Sequence, residues 1–329
     1  VKSEKGWASF FRAHWRWLVR LLGLGLLIWL LFRIDINDVL HALQGANLFT
    51  VIQAFILLIP LIALKSLRWL LIMGTPFDGR SFLQATLAYF SGLFLGFLTP
   101  GRLGEFIRIF YARGRLAGDT IAATVSVLVD RFFDLAALLV LGGLALAFLP
   151  YAASVYRFLG WGFILAGAAI PVLMLLFRAD SGLQRFLKQR DWSWGKFSLN
   201  PWLASLAKLR HAALWSGFAL TALAYGLFYS QGYLLAQAMA LPLNYFSVAF
   251  ALSLASLVAL LPISISGLGT REWVVTLYLG TQGVSPERAL AFSALIFLTF
   301  NLGGSLLGGI SWLAYPEGLR SPAEEAHEA

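Results

Sequence analysis

The sequence contains no cysteine, which excludes disulfides, thiolate metal sites and cysteine nucleophiles. Histidine is nearly as scarce: His14, His41, His211 and His327 are scattered and form no ligand cluster, so no metal centre, redox group or other cofactor is expected. Charge is the third shortage. Only 12% of the 329 residues are Asp, Glu, Lys or Arg, against about 25% in a soluble domain. A nucleotide-binding loop, a nucleophile motif and a metal-type carboxylate cluster in an aqueous loop are all missing, so the chain is not expected to be an enzyme.

What is present is apolar: 59% of the residues are hydrophobic and the mean hydropathy is +0.77. A bilayer core needs about 20 apolar residues per helix. Such runs recur at 17–32, 49–73, 121–149, 158–177, 212–240 and 289–314, which predicts six spans of an all-α polytopic membrane protein. The first run follows a basic start (Lys2, Lys5, Arg12, Arg16, Arg20) without a small-residue cleavage site, so it reads as a retained helix rather than a signal peptide.

The net charge of +9 does not point to nucleic acid, because the basic residues lie mostly beside the ends of apolar runs, where they orient a membrane protein. Arg178, Arg185, Lys188, Arg190, Lys196, Lys208 and Arg210 crowd one loop. Residues 34–48, 150–156 and 241–245 hold no lysine or arginine. The positive-inside rule then places both termini in the cytoplasm, with 317–329 as a disordered acidic tail. This count holds if two further apolar stretches, 82–99 and 246–261, do not cross completely. Each runs into helix breakers and charge: Pro100-Gly-Arg-Leu-Gly-Glu-Phe-Ile-Arg108 and Pro262-Ile-Ser-Ile-Ser-Gly-Leu-Gly-Thr-Arg-Glu272. They read as re-entrant hairpins, which need protein or a watery cavity around the broken backbone; two fully spanning hairpins with polar turns are the alternative.

Sliding the chain by 167 residues aligns Glu105 with Glu272, Tyr111 with Tyr278, Ser126 with Ser293, Phe133 with Phe300 and Asp134 with Asn301. Nine of the 43 positions from 101 to 143 are identical in this register. Each half reads span, span, broken hairpin, span, so the expectation is one membrane domain of two repeats, about 14–150 and about 155–316. Three crossings per half invert the second repeat, an arrangement typical of transporters. A duplicated scaffold without transport is the plainer reading.

Charge at membrane depth costs roughly 2.5 to 3.5 kcal/mol per residue on insertion scales, so the intramembrane ionisable residues are the candidate site. Arg102, Glu105 and Arg108 follow the first break, Asp130, Arg131 and Asp134 lie in one span, and Arg271 and Glu272 follow the second break. Lys65 and Arg68, near the end of the 49–73 run, either join this set or snorkel to headgroups. Asp130 and Asp134, four apart on one helix face, either couple protons or neutralise Arg102, Arg108 or Arg131. Gly101, Gly104, Gly267 and Gly269 either open backbone N–H donors at a helix start, suited to phosphate, or permit close packing.

Three motifs together resemble the lysylphosphatidylglycerol synthase transmembrane-region family: Thr99-Pro-Gly-Arg-Leu-Gly-Glu105 with Arg108, Val129-Asp-Arg-Phe-Phe-Asp134, and Leu261-Pro-Ile-Ser-Ile-Ser-Gly-Leu-Gly-Thr-Arg-Glu272 followed by Gly283-Val284. The resemblance implies a flippase-like domain that moves a lipid or lipid-linked headgroup between leaflets, with the pattern residues on Arg102, Glu105, Asp130, Arg131, Asp134, Arg271 and Glu272. It matches stand-alone members, without the soluble aminoacyltransferase of fused ones, and so does not carry lysine transfer to this chain. The functional expectation is a flippase for an anionic or lipid-linked phosphate headgroup in the cytoplasmic membrane, with membrane lipids as partners and self-association open. A membrane-embedded transferase on a lipid phosphate, or a small-solute transporter, is the alternative.

Overall fold

A computed structural model describes residues 45–99, 101–115, 119–149, 154–176, 193–194, 197–198, 200–209, 211–261, 267 and 269–315. The expected span at 17–32, the basic loop from Arg178 to Arg190 and the acidic tail lie outside the described residues. Apart from a minimal antiparallel pair, Ser193–Trp194 with Phe197–Ser198, all regular structure among the described residues is helical.

Helix α1 (Leu48–Ile56) leads into α2 (Leu58–Met73). They are nearly one helix: the interruption falls at Leu57, just before Pro60, whose missing N–H leaves the Ile56 carbonyl without its helical donor. Helix α3 (Gly79–Leu98) starts on an Asp78 cap that accepts the Arg80 and Ser81 N–H groups at 2.9 Å. A short 3₁₀ turn (Leu103–Ile107) and α4 (Arg108–Arg115) precede the 28-residue α5 (Thr120–Ala147). Then come α6 (Ser154–Leu176), the short α7 (Asn200–Ala207), α8 (His211–Ala238) and α9 (Tyr245–Ala259). The described residues end in α10 (Thr270–Gly280), α11 (Pro286–Ile296), a π-helical segment (Phe297–Leu302) and α12 (Gly303–Ala314).

Five of these stretches are long and apolar enough to cross a membrane: Leu48–Met73, Gly79–Leu98, Ser154–Leu176, Ala212–Ala238 and Pro286–Ala314. Helix α5 has the length but carries Asp130, Arg131 and Asp134. One expectation needs adjusting. Helix α3, expected to stop short, has 20 residues and so extends ~30 Å, whereas α9, with 15, reaches only ~22 Å.

Packing follows a reciprocal pattern. Helix α3 lies against α12 and α9 against α5, while α8 packs on α1 and α2. After α3 the 3₁₀ turn folds back onto it, and α10 folds back onto α9. The first return is tight: a Cβ on Gly104 would sit 2.1 Å from the Leu95 carbonyl oxygen, so only glycine allows that approach. Helices α5 and α6 meet through Gly143, Gly160 and Gly167, a small-residue interface of the kind membrane helices use when lipid offers no hydrophobic driving force. Much of the outer face of α6 is exposed and apolar, with Phe158, Trp161 and Leu165 outward. One core gathers around α8 to α11 and another around α2, α3, α4 and α12; the site lies between them.

Candidate functional site

Eight of the ten charges that sequence spacing singled out, all but Arg271 and Glu272, converge on one buried network centred on Asp130. Its Oδ1 accepts from Arg68 Nε at 2.8 Å. Its Oδ2 accepts from the Tyr89 hydroxyl at 2.7 Å and Arg108 Nη1 at 2.8 Å. One turn along, Asp134 pairs with Lys65 at 3.0 Å and with Arg68 at 2.9 Å. Arg68 therefore bridges both carboxylates, and its Nη1 also donates to Thr221 on α8 at 2.8 Å. Of the two readings of Lys65 and Arg68, the geometry favours charge pairing over snorkelling to headgroups: Arg68 is fully buried and Lys65 points to Asp134. Such pairing is what permits charge away from water.

Arg131 links this group, through Asp134 at 3.6 Å, to the 3₁₀ turn. Its Nη1 lies 2.5 Å from Glu105 Oε2, on the 3₁₀ turn, and its Nη2 donates to the Tyr89 hydroxyl at 3.2 Å. Glu105 in turn lies 3.9 Å from Arg102 Nη1, and Arg102 Nη2 donates to Asn301 of the π segment at 3.4 Å. Arg102 adopts φ 57° directly after Gly101 at φ 60°; a non-glycine residue in this region carries about 1–3 kcal/mol of strain. That conformation presents its guanidinium to a cavity.

The cavity has a volume of about 350 Å³ and is walled by α2, α3, the 3₁₀ turn, α5, α8, α9 and the π segment. Lys65, Gly101, Arg102, Glu105, Arg131, Asp134 and Asn301 all line it, among apolar neighbours such as Leu61, Leu135 and Phe228. A second void of about 40 Å³, walled in part by Arg102, Ser256, Arg271, Phe300 and Asn301, adjoins it. Arg102, Phe228, Ser256, Phe300 and Asn301 border both spaces.

Arg271, also expected at the site, reaches only the smaller void. It is buried, stacks on Phe297 at 4.9 Å and pairs with Glu272. Its Nε and Nη1 make no hydrogen bond. Arg108 and Asp130 do not line either space; they stand behind the wall, Arg108 lying 4.0 Å from the Tyr89 ring.

The glycines divide. Gly267 and Gly269 take φ 75° and 82°, conformations that favour glycine. Open N–H donors are not what they supply: the Gly269 N–H goes to Glu272 Oε2 at 2.6 Å and the Gly104 N–H to Thr99 Oγ1 at 2.6 Å. Glu272 thus occupies the anion position at the start of α10, which corrects the phosphate reading of these two amides.

Sequence reasoning missed Tyr89, Thr221, Tyr225 and Ser256. The available signal was polarity inside apolar runs, strengthened at Tyr89 and Ser256 because the 167-residue shift superimposes them. Among the described residues, no three His, Asp or Glu side chains group as metal ligands.

A bundle of membrane-length helices enclosing a paired-charge network and a mainly apolar cavity is an integral membrane protein with a sheltered polar site, not a soluble domain with a membrane anchor. The chain belongs to the family described as the lysylphosphatidylglycerol synthase TM region, whose model matches residues 16–308. No curated protein matches the sequence.

Proposed function

We propose that the protein is a lipid flippase or transporter that carries an anionic headgroup between the leaflets of the cytoplasmic membrane, the headgroup in the cavity and the tails in lipid. The observation that carries this reading is the symmetry of the lining. Under the 167-residue shift, Leu58 pairs with Tyr225, Leu61 with Phe228, Tyr89 with Ser256, Leu93 with Leu260, Asp134 with Asn301 and Leu138 with Ser305, and all twelve line the cavity. Equivalent residues share one space when that space surrounds the axis relating the two halves.

The reciprocal packing of α3 on α12 and α9 on α5 supports the same two-repeat arrangement, since the shift carries α3 onto α9 and α5 onto the α11–α12 stretch. The repeats are inverted, about 14–150 and 155–316, with the termini cytoplasmic and the two broken hairpins entering from opposite faces. Exchange of conformations between inverted halves alternates access to a central site. No bond is made or broken in the substrate: the protein binds, shelters and releases it.

Arg102 holds the headgroup first, beside Lys65 and Arg131. Arg271, which borders the adjoining void and has two donors without a hydrogen bond, is the contact on the far side. A leaflet-resolved assay of a labelled anionic phospholipid in proteoliposomes tests this. Arg102→Ala and Arg271→Ala are expected to slow movement at least about tenfold, the scale of a lost charge-assisted hydrogen bond. Transport by both variants at the parent rate would show that the headgroup is not held there.

A further inference from the structure

We infer that the cavity takes a phosphate monoester, a dianion, in preference to a phosphodiester. The inference rests on the transport reading, because it concerns the occupant of the same cavity.

The ion-paired network joins five cations to three carboxylates among the described residues: Lys65, Arg68, Arg102, Arg108 and Arg131 against Glu105, Asp130 and Asp134. Two formal positive charges are left over. Glu272 does not offset them, since its carboxylate is committed to Arg271 and the Gly269 N–H. The carboxylates are committed as well. Asp130 receives donors on both oxygens from Arg68, Tyr89 and Arg108, and Glu105 and Asp134 are both tied to Arg131.

The surplus faces the cavity. The side chains of Lys65, Arg131 and Arg102 are 16%, 22% and 36% exposed, while Arg68 and Arg108 are sealed behind them. Charge in an apolar enclosure is stabilised by a partner of equal and opposite charge. A phosphodiester brings one negative charge; a monoester brings about −1.5 to −2 at neutral pH and three acceptor oxygens, one for each exposed cation. A headgroup carrying an added amine meets no uncommitted carboxylate.

The test uses the full chain in detergent with lipids of identical short acyl chains. Binding of phosphatidic acid (monoester), phosphatidylglycerol (diester) and inorganic phosphate is followed by calorimetry. At pH 7.5 phosphatidic acid is expected to bind at least about tenfold tighter than phosphatidylglycerol, and at pH 5, below the second phosphate ionisation near 6, that advantage is expected to vanish. The groups facing the ligand are Lys65 from α2, Tyr89 from α3, Arg102 just before the 3₁₀ turn and Glu105 on it, and Arg131 and Asp134 from α5. Tyr225 completes the set from α8, and no histidine lines the described wall; melting of the ligand-free protein at both pH values controls for its own titration.

Arg102→Gln, at a partly exposed tip, removes one of the two surplus charges and is expected to erase the discrimination. Equal affinity of the parent for both lipids at pH 7.5, or a tenfold preference surviving in Arg102→Gln, overturns the inference. Inorganic phosphate binding as tightly as phosphatidic acid overturns its lipid part. Parent protein that binds the diester and monoester alike but still moves lipid leaves the transport reading intact, whereas parent protein that binds and moves no lipid defeats that reading itself.

Discussion

Arg68 Nη2 lies 2.8 Å from Asp130 Oδ1, with neither side chain exposed at all. Removing one member of such a pair leaves the other charge buried and unmatched, at a cost of about 3–5 kcal/mol. Arg68→Met and Asp130→Asn are therefore each expected to lower the thermal midpoint sharply in detergent, and the double variant less than the sum of the two. Additive losses would mean that the pair is not coupled.

Arg102 is different in kind, because its left-handed backbone at φ 57° is strained while its side chain faces the cavity. Asparagine tolerates that region far better than arginine. Arg102→Asn is expected to keep or raise the melting temperature while lowering lipid movement at least about tenfold. A fall in both would assign Arg102 a structural task instead.

Gly104 and Gly162 form a matched contrast. A Cβ on Gly104 would meet the Leu95 carbonyl at 2.1 Å, whereas one on Gly162 meets nothing within 4 Å. Gly104→Ala is expected to cost ~1–3 kcal/mol by overpacking the tip. Gly162→Ala, in the interior of α6, is expected to gain about 0.4–1 kcal/mol. Denaturant or thermal unfolding of the two variants reads both signs.

Asp78 ties stability to pH outside the membrane. The Ser81 backbone N–H and hydroxyl, with the Arg80 N–H, hold its carboxyl below the usual carboxylate range. A depressed folded value means the cap's contribution is complete above the ordinary value of about 3.9 and is lost as pH falls through the folded one. Asp78→Ala is expected to melt below the parent at pH 7, and the gap is expected to close on acidification. A gap constant down to the acid limit would show that the ionised form is not what caps α3.

Much of this arrangement was legible in the residues. The apolar runs marked four of the five membrane-length stretches, Gly79–Leu98 being the one expected to stop short, and the segments after α3 and α9 fold back onto those helices as the breakers implied. The 167-residue register brought Asp134 onto Asn301, which proved to line one cavity. Partner choice was not legible: Lys65 and Arg68 sit where an apolar run ends, and nothing local distinguishes a snorkelling arginine from one that bridges Asp130 and Asp134. The glycine amides were misread for a reason the sequence did contain, since Glu272 stands three residues after Gly269, the spacing from which an acidic side chain reaches back to cap a helix start. The π segment at 297–302 has no such signature, and only the packed structure reveals that it turns Asn301 toward Arg102.

The central claim is that two halves of opposite orientation enclose one cavity, and the absence of cysteine from the chain makes it directly measurable. Phe77 and Asn244, related by the 167-residue shift, precede α3 and α9 and are both exposed. Single variants Phe77→Cys and Asn244→Cys are labelled with a membrane-impermeant maleimide in intact cells and in inverted vesicles. The account predicts that the Phe77→Cys thiol reacts only from the cytoplasmic face and the Asn244→Cys thiol only from the opposite one; labelling of both from the same face would contradict it.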